Sequence, residues 1–347
     1  MQKDFIKINH IKLYNLLVKI FIKHGSSLKI ARKVSYYLTQ ADLSGQNSHG
    51  AARAPLYLEK INDKKLFPNS KMKIFNENRN IVQIDGNWGF GQVIADEAIK
   101  IAIKKSAKYN ISCVTIKNSN HLGRLSDFTN QAAKKGFVCI GFLNLHGTSF
   151  IVAPFGGKDR KLPSNPISIS TPGPDKNKIF ELDMSSCTVA EGKLKINYLI
   201  NRKTTKGYIQ DFKGQLTTDT KKFYHEPKGS ILPLGGVSGF KGFGLAFAID
   251  IISGALSQAG CSGKKNSQHG NATTFICLKT SAFSKLSDFR KNVKILTNHV
   301  KSSRTKKGFK EILIPGEKEN IERKKNIKNG VKIDAATYNK LLNVLKN

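Results

Sequence analysis

Residues 81–116, IVQIDGNWGFGQVIADEAIKIAIKKSAKYNISCVTI, decide the class of fold. The β-branched run 81–84 reads as a strand, 93–109 keeps a 3.6-residue apolar period, and 111–116 is again β-rich. Such alternation indicates an α/β region. Gly86, Gly89 and Gly91 follow the first strand in the order G-x-x-G-x-G. That is the reverse of the Rossmann G-x-G-x-x-G, and no strand–turn–helix with an acid about 20 residues on surrounds it. The cluster therefore reads as a hairpin or turn, using glycine for positive φ.

Working outward, further short strands are expected at 137–143, 167–170, 179–182 and 275–278. A helix is expected at 125–135, a buried helix at 244–256 and a polar loop at 261–274. Upstream, 9–24, 28–43 and 51–61 carry helical periods. Downstream, Asp334 reads as an N-cap for a helix with Tyr338, Leu341, Leu342 and Leu345 on one face. The expected architecture is α/β (α+β): a helical domain built from residues 1–75 together with 283–347, and a mixed-sheet α/β domain, 76–282, without a Rossmann dinucleotide site.

The chain has 347 residues and a formal charge of +34, which invites a nucleic-acid reading. Its 58 basic residues divide into 49 Lys and 9 Arg. Phosphate and base readers lean on the planar arginine fork, so the excess reads as solvated surface lysine, with no specific nucleic-acid partner. Five cysteines without a C-x-x-C pair suggest neither zinc nor disulfides and fit a reducing, cytoplasmic compartment. The N-terminal apolar runs are broken by Lys7, Lys12, Lys19 and Lys23, so neither an export signal nor a membrane span is expected.

Three places could carry chemistry. In SHGAARAPLY, residues 48–57, a helix would line up His49, Arg53 and Tyr57 at i, i+4 and i+8, although Pro55 fits only a first turn. Arginine can hold a carboxylate through two hydrogen bonds, and histidine exchanges protons near neutral pH. His121 follows the strand 111–116, at a strand end where α/β sheets bind ligands. Gly239-Phe-Lys-Gly242-Phe-Gly244 precedes a helix whose N-terminus, with Lys241, suits phosphate. His146 and His225 lack local partners and read as surface residues. No histidine spacing supports a metal.

Taken in order, ADLSGQNSHG with Arg53 and Tyr57, NSNHLGRLSDF, VAPFGGKDR with SNP, LDMSS, Ala190, Gly192 and Lys193, TTD, LPLGG, GFKGFGLA and IPGE resemble the second-type malate/L-lactate dehydrogenases. These are NAD(P)-dependent 2-hydroxyacid dehydrogenases unrelated to the Rossmann enzymes. The resemblance implies a homodimer with NAD or NADP as cofactor and a small 2-hydroxyacid or 2-oxoacid as substrate. Reduction of cyclic imine carboxylates is the alternative on the same scaffold. It gives His49 or His121 the acid–base role, and His49 is preferred because Arg53 lies one helical turn away. It places Ser48, Arg53 and Tyr57 at the substrate. Asp183, Met184, Ser185, Lys241, Gly242 and, by weaker analogy, Gly316 and Glu317 fall at the cofactor. The sequence departs from the family at Ser44, Asn47 and Glu191, where relatives commonly carry an arginine, an acid and an arginine.

Overall fold

A computed structural model describes residues 5–147, 150–264 and 268–346. Part of the expected polar loop 261–274 lies outside them. The 81–116 stretch forms a β–α–β unit: β3 (Ile81–Asp85), α4 (Gly91–Tyr109) and β4 (Ile111–Ser119), with β3 and β4 parallel. The glycine cluster is therefore a strand-to-helix turn after all, and not a hairpin. Its job is close packing, since a Cβ on Gly91 would run into the carbonyls of Asn120 and His121. Removing the side chain there lets the first turn of α4 lie directly on the histidine loop.

Around this unit, β2 (Lys73–Asn78), β5 (Phe137–His146), β6 (Pro166–Pro172), β7 (Ile179–Ser185) and β11 (Gly270–Lys279) complete a seven-stranded mixed sheet, in the order β2-β3-β4-β11-β5-β6-β7. The late strand β11 is inserted antiparallel between β4 and β5. Ile94, Ile99 and Ala102 of α4 and Phe128 of α5 (Ser126–Lys134) bury the sheet against Val82, Ile116 and Phe275.

The N-terminal helices pack as a separate body. Asn9 caps α1 (His10–Lys23) by accepting from the N–H groups of Ile11 and Lys12, which satisfies two of the donors that every helix start leaves open. Leu13, Leu17, Ile20 and Phe21 fall on its inner face against α2 (Leu28–Leu43) and α3 (Ala54–Asn62). The chain's end closes this body. Strand β1 (Phe5–Ile8) pairs with β12 (Val331–Asp334), and Asp334 caps α11 (Ala335–Lys346) as expected, accepting from Thr337 N–H at 2.9 Å.

Two details differ from the two-domain expectation. Residues 152–246 gather a third hydrophobic cluster, in which Val152, Leu194, Ile209, Phe223 and Ile231 surround a small sheet of β8 (Ile209–Gln210), β9 (Leu216–Thr217) and β10 (Ser230–Ile231). Two-residue strands leave no alternation to read, and so this core was not legible. In addition, α9 (Leu286–Lys301) and α10 (Glu317–Asn329) bury no residue completely, so the helical core takes in the C-terminal segment only from 331 onward.

Candidate active site

The segment 47–53 is not a continuous helix. Two single 3₁₀ turns, Asn47–His49 and Ala51–Arg53, precede α3, whose start is fixed by Pro55 in its first turn. The expected stripe is broken, yet His49 and Tyr57 still converge because both meet His121. His49 Nδ1 lies 3.2 Å from His121 Nε2, and the two rings are parallel with centroids 5.3 Å apart. His121 Nδ1 lies 2.7 Å from the Tyr57 hydroxyl.

Tyr57 stands behind His121 and is only 1% exposed, so it reaches a substrate through that histidine. Its ring is wedged against Phe21 and Phe90, with centroids 6.5 and 6.0 Å away. Aromatic contacts of this kind contribute about 0.5–1.5 kcal/mol each and hold the hydroxyl in one direction. Arg53 Nε donates to the carbonyl of Ser48 at 2.6 Å, which folds the guanidinium back over the histidine turn. Ser48 in turn faces Gly192 in the first turn of α6 (Glu191–Leu199), where a Cβ would come within 2.7 Å of the serine Cβ.

Burial, with the nearby Arg53 charge, lowers His49 from its usual 6.5 to about 3 and takes His121 well below the usual range. Both imidazoles are therefore neutral at pH 7. Burial pushes Tyr57 up to about 12. Sequence reasoning missed two members of the site. Gln92 donates through Nε2 to the Tyr57 hydroxyl at 2.8 Å. Lys60 bridges Asn120 Oδ1 and the carbonyl of His269 at 2.9 and 3.3 Å. Lys60 lies one turn beyond Tyr57, so helical spacing could have flagged it; a single glutamine carries no such signal.

Beneath the turn, the buried Asp42 carboxylate accepts from Ala51 N–H at 2.8 Å, and a Cβ on Gly50 would run into it. Burial raises Asp42 to about 8, with the Ala51 bond working the other way. Asp42 charges in the unfolded chain from about pH 3.8 but resists charging in the fold. Ionisation thus erodes stability as pH rises through the interval from 3.8 to 8. Asp42→Asn is expected to raise Tm by a few degrees at pH 8 and to match the wild type near pH 4, as thermal unfolding at both pH values would show. The unusual Asn47 has its own anchor, donating to the Lys332 carbonyl of β12 at 2.6 Å. Glu191 accepts from the Tyr224 hydroxyl at 2.7 Å.

The expected cofactor residues are brought into one continuous strip. Asp183, two residues before the end of β7, accepts from Ser126 N–H at 2.8 Å, five residues past His121, and burial lifts it to about 6. Ser186 then accepts from Leu234 N–H, and Leu234 accepts from Gly242 N–H. This links Asp183, Met184 and Ser185 to Lys241 in the first turn of α8 (Gly239–Asp250). On the other side, Gly316 at φ +94° packs against Glu181, two residues before Asp183, where a Cβ on the glycine would come within 2.9 Å of the Glu181 Cβ. Glu317 turns away, accepting from Ile314 N–H and the Lys301 ammonium.

This donor set fits a dinucleotide. The N-terminus of α8 has no side-chain cap, and with Lys241 it offers the backbone dipoles and cation that a pyrophosphate requires. A cavity of about 1560 Å³ opens beyond Glu317, between α2, α5, β7 and the α9–α10 arm, away from the two histidines. His146, expected at the surface, is buried at the end of β5 against Trp88, because β5 is a central strand. His225 is exposed and meets the Tyr198 hydroxyl. Among the described residues no cluster of three His, Cys, Asp or Glu could hold a metal.

The chain is similar to known proteins over nearly its whole length. Malate dehydrogenase of Pyrococcus abyssi is 32% identical over 99% of this chain and 94% of its own. L-sulfolactate dehydrogenase of Methanocaldococcus jannaschii is 34% identical over 94% and 92%. The solved malate dehydrogenase of Pyrococcus horikoshii superposes with a TM-score of 0.88 at 31% identity, covering 99% of this chain and 95% of that one. The family model described as malate/L-lactate dehydrogenase matches residues 8–342, taking in both the histidine pair and the strip from Asp183 to Gly316, and the chain belongs to that family.

Proposed function

We propose that the chain is an NAD(P)-dependent oxidoreductase that interconverts a small 2-hydroxyacid and its 2-oxoacid. The observation that carries this reading is the placement of Arg53 and His49 on one folded turn, with His121 of the loop after β4 3.2 Å from His49. When bound, the nicotinamide supplies or takes up the hydride at the substrate's C2. Arg53 offers a two-pronged site for the carboxylate, which sets C2 and its oxygen beside His49. His49 then gives a proton to the oxygen on reduction and takes it back on oxidation. Asp183, Met184, Ser185, Lys241 and Gly242 hold the dinucleotide, with Gly316 at the far edge of the strip.

Two further expectations belong here. Along α8 and the π-helical turn that follows it (Ile251–Ala255), Phe240, Phe247 and Ile251 are about half exposed, within a stretch, Gly236–Ala255, apolar and long enough by composition to cross a membrane. We assign that face to a second copy of the chain, in keeping with the family's dimers and with the size of apolar patches that mark interfaces. Phe247→Glu combined with Ile251→Glu is expected to convert a dimer to a monomer in sedimentation equilibrium. A wild-type monomer would contradict the assignment. The thiols are free, as a cytoplasmic location would keep them.

The function is tested by following NADH and NADPH consumption with pyruvate, oxaloacetate, phenylpyruvate and a cyclic imine carboxylate. Turnover of a 2-oxoacid is expected. Turnover of the imine alone would replace this reading with the alternative reductase.

A further inference from the structure

Gln92 occupies the second position of α4, immediately behind Tyr57, and its side chain is completely buried. Its amide Nε2 donates to the Tyr57 oxygen, and Tyr57 has a single proton to place. With its acceptor side filled by the amide, the hydroxyl points that proton at His121 Nδ1, 2.7 Å away. A neutral imidazole that accepts at Nδ1 carries its proton on Nε2. His121 therefore donates to His49 Nδ1, 3.2 Å away, and the same rule leaves the His49 proton on Nε2, the nitrogen outside the pair. Gln92 Oε1 has no partner among the described residues, so the amide is oriented through Tyr57 alone.

We propose that Gln92 is a positioning residue whose amide fixes the direction of the chain Gln92→Tyr57→His121→His49, so that His49 meets the substrate oxygen as an Nε2–H donor. The proposal rests on the 2-oxoacid reductase reading above. A neutral imidazole can protonate an alkoxide only if it takes up a proton at its other nitrogen. The chain supplies one. As the His49 Nε2 proton passes to the substrate oxygen, the His121 Nε2 proton passes to His49 Nδ1 and the Tyr57 proton passes to His121 Nδ1. Both histidines stay neutral, and the negative charge moves from the substrate oxygen to the Tyr57 oxygen. There the Gln92 N–H and the new His121 Nδ1–H both donate to it; once the product has left, water protonates His49 Nε2, the His49 Nδ1 proton returns to His121 Nε2 and the His121 Nδ1 proton to Tyr57, so that the starting tautomers are restored and hydroxide is released.

The test uses full-length protein with ¹⁵N-labelled histidine. In the wild type, the ring ¹⁵N shifts are expected to show both His121 and His49 protonated on Nε2. Gln92→Met, similar in length but without a donor, is expected to mix the two His121 tautomers. It should also lower kcat for 2-oxoacid reduction about tenfold at unchanged KM. Wild-type His121 carrying its proton on Nδ1 would overturn the proposal, and this spectrum decides even if the variant does not fold. A folded variant whose tautomer ratio or kcat matches the wild type would overturn it as well. Wild-type protein that shows these tautomers but turns over no 2-oxoacid would instead reject the functional reading and leave the hydrogen-bond chain intact.

Discussion

His49→Ala is expected to lower kcat for 2-oxoacid reduction by about 10²–10⁴ with little change in KM, since general acid catalysis acts on the transition state and Arg53 still holds the carboxylate. His121→Ala is expected in the same range, although His121 touches the substrate only through His49. The two rings share one hydrogen bond, so the losses should not add: the double variant should be within about tenfold of the poorer single one. Single-turnover rates for the four proteins check this. Losses that multiply would mean that the histidines act independently. A full loss in His121→Ala alone would transfer the acid–base role to His121.

Arg53→Ala is expected to act mainly on KM. Charge-assisted hydrogen bonds are worth about 1.5–3 kcal/mol, so removing a carboxylate's fork should raise KM by about 10- to 150-fold. Arg53→Lys should fall between, since an ammonium keeps the charge but loses the planar pair of donors. The variant has a second consequence. Arg53 and burial together hold His49 down near 3, so losing the guanidinium should move the His49 pKa upward, toward 6.5. The acid limb of the pH–rate profile is expected to shift to higher pH in Arg53→Ala. A pH profile identical to the wild type would place the guanidinium away from His49.

Much of this was legible where local pattern and physics agree. The strands 111–116 and 137–143, the helix 93–109 and the Asp334 cap all stand where periodicity and capping residues put them. The failures share a cause. At Gly86–Gly91 a turn was legible but its place between a strand and a helix was not, because nothing in its own sequence says that the carbonyls of Asn120 and His121, some 30 residues on, press against Gly91. Likewise, the stripe His49–Arg53–Tyr57 is broken by two 3₁₀ turns, while His49 and His121 meet across 72 residues. That meeting is held by α3, whose Tyr57 and Lys60 bond His121 and Asn120 in the loop after β4. Gln92 was invisible for the same reason, being defined by what it touches, whereas Lys60 stands one helical turn from Tyr57. Little of the +34 charge enters the proposed site, where Arg53 and Lys60 stand by the histidines and Lys241 at the start of α8.

The most direct measurement of the central claim is the fate of deuterium. Wild-type protein would be given a 2-oxoacid and NADH or NADPH deuterated at nicotinamide C4, and the product read by NMR. Deuterium at C2 of a 2-hydroxyacid, formed by the wild type and slowed by about 10²–10⁴ in His49→Ala, is the predicted result. A product without deuterium at C2, or equal transfer by His49→Ala, would contradict the account.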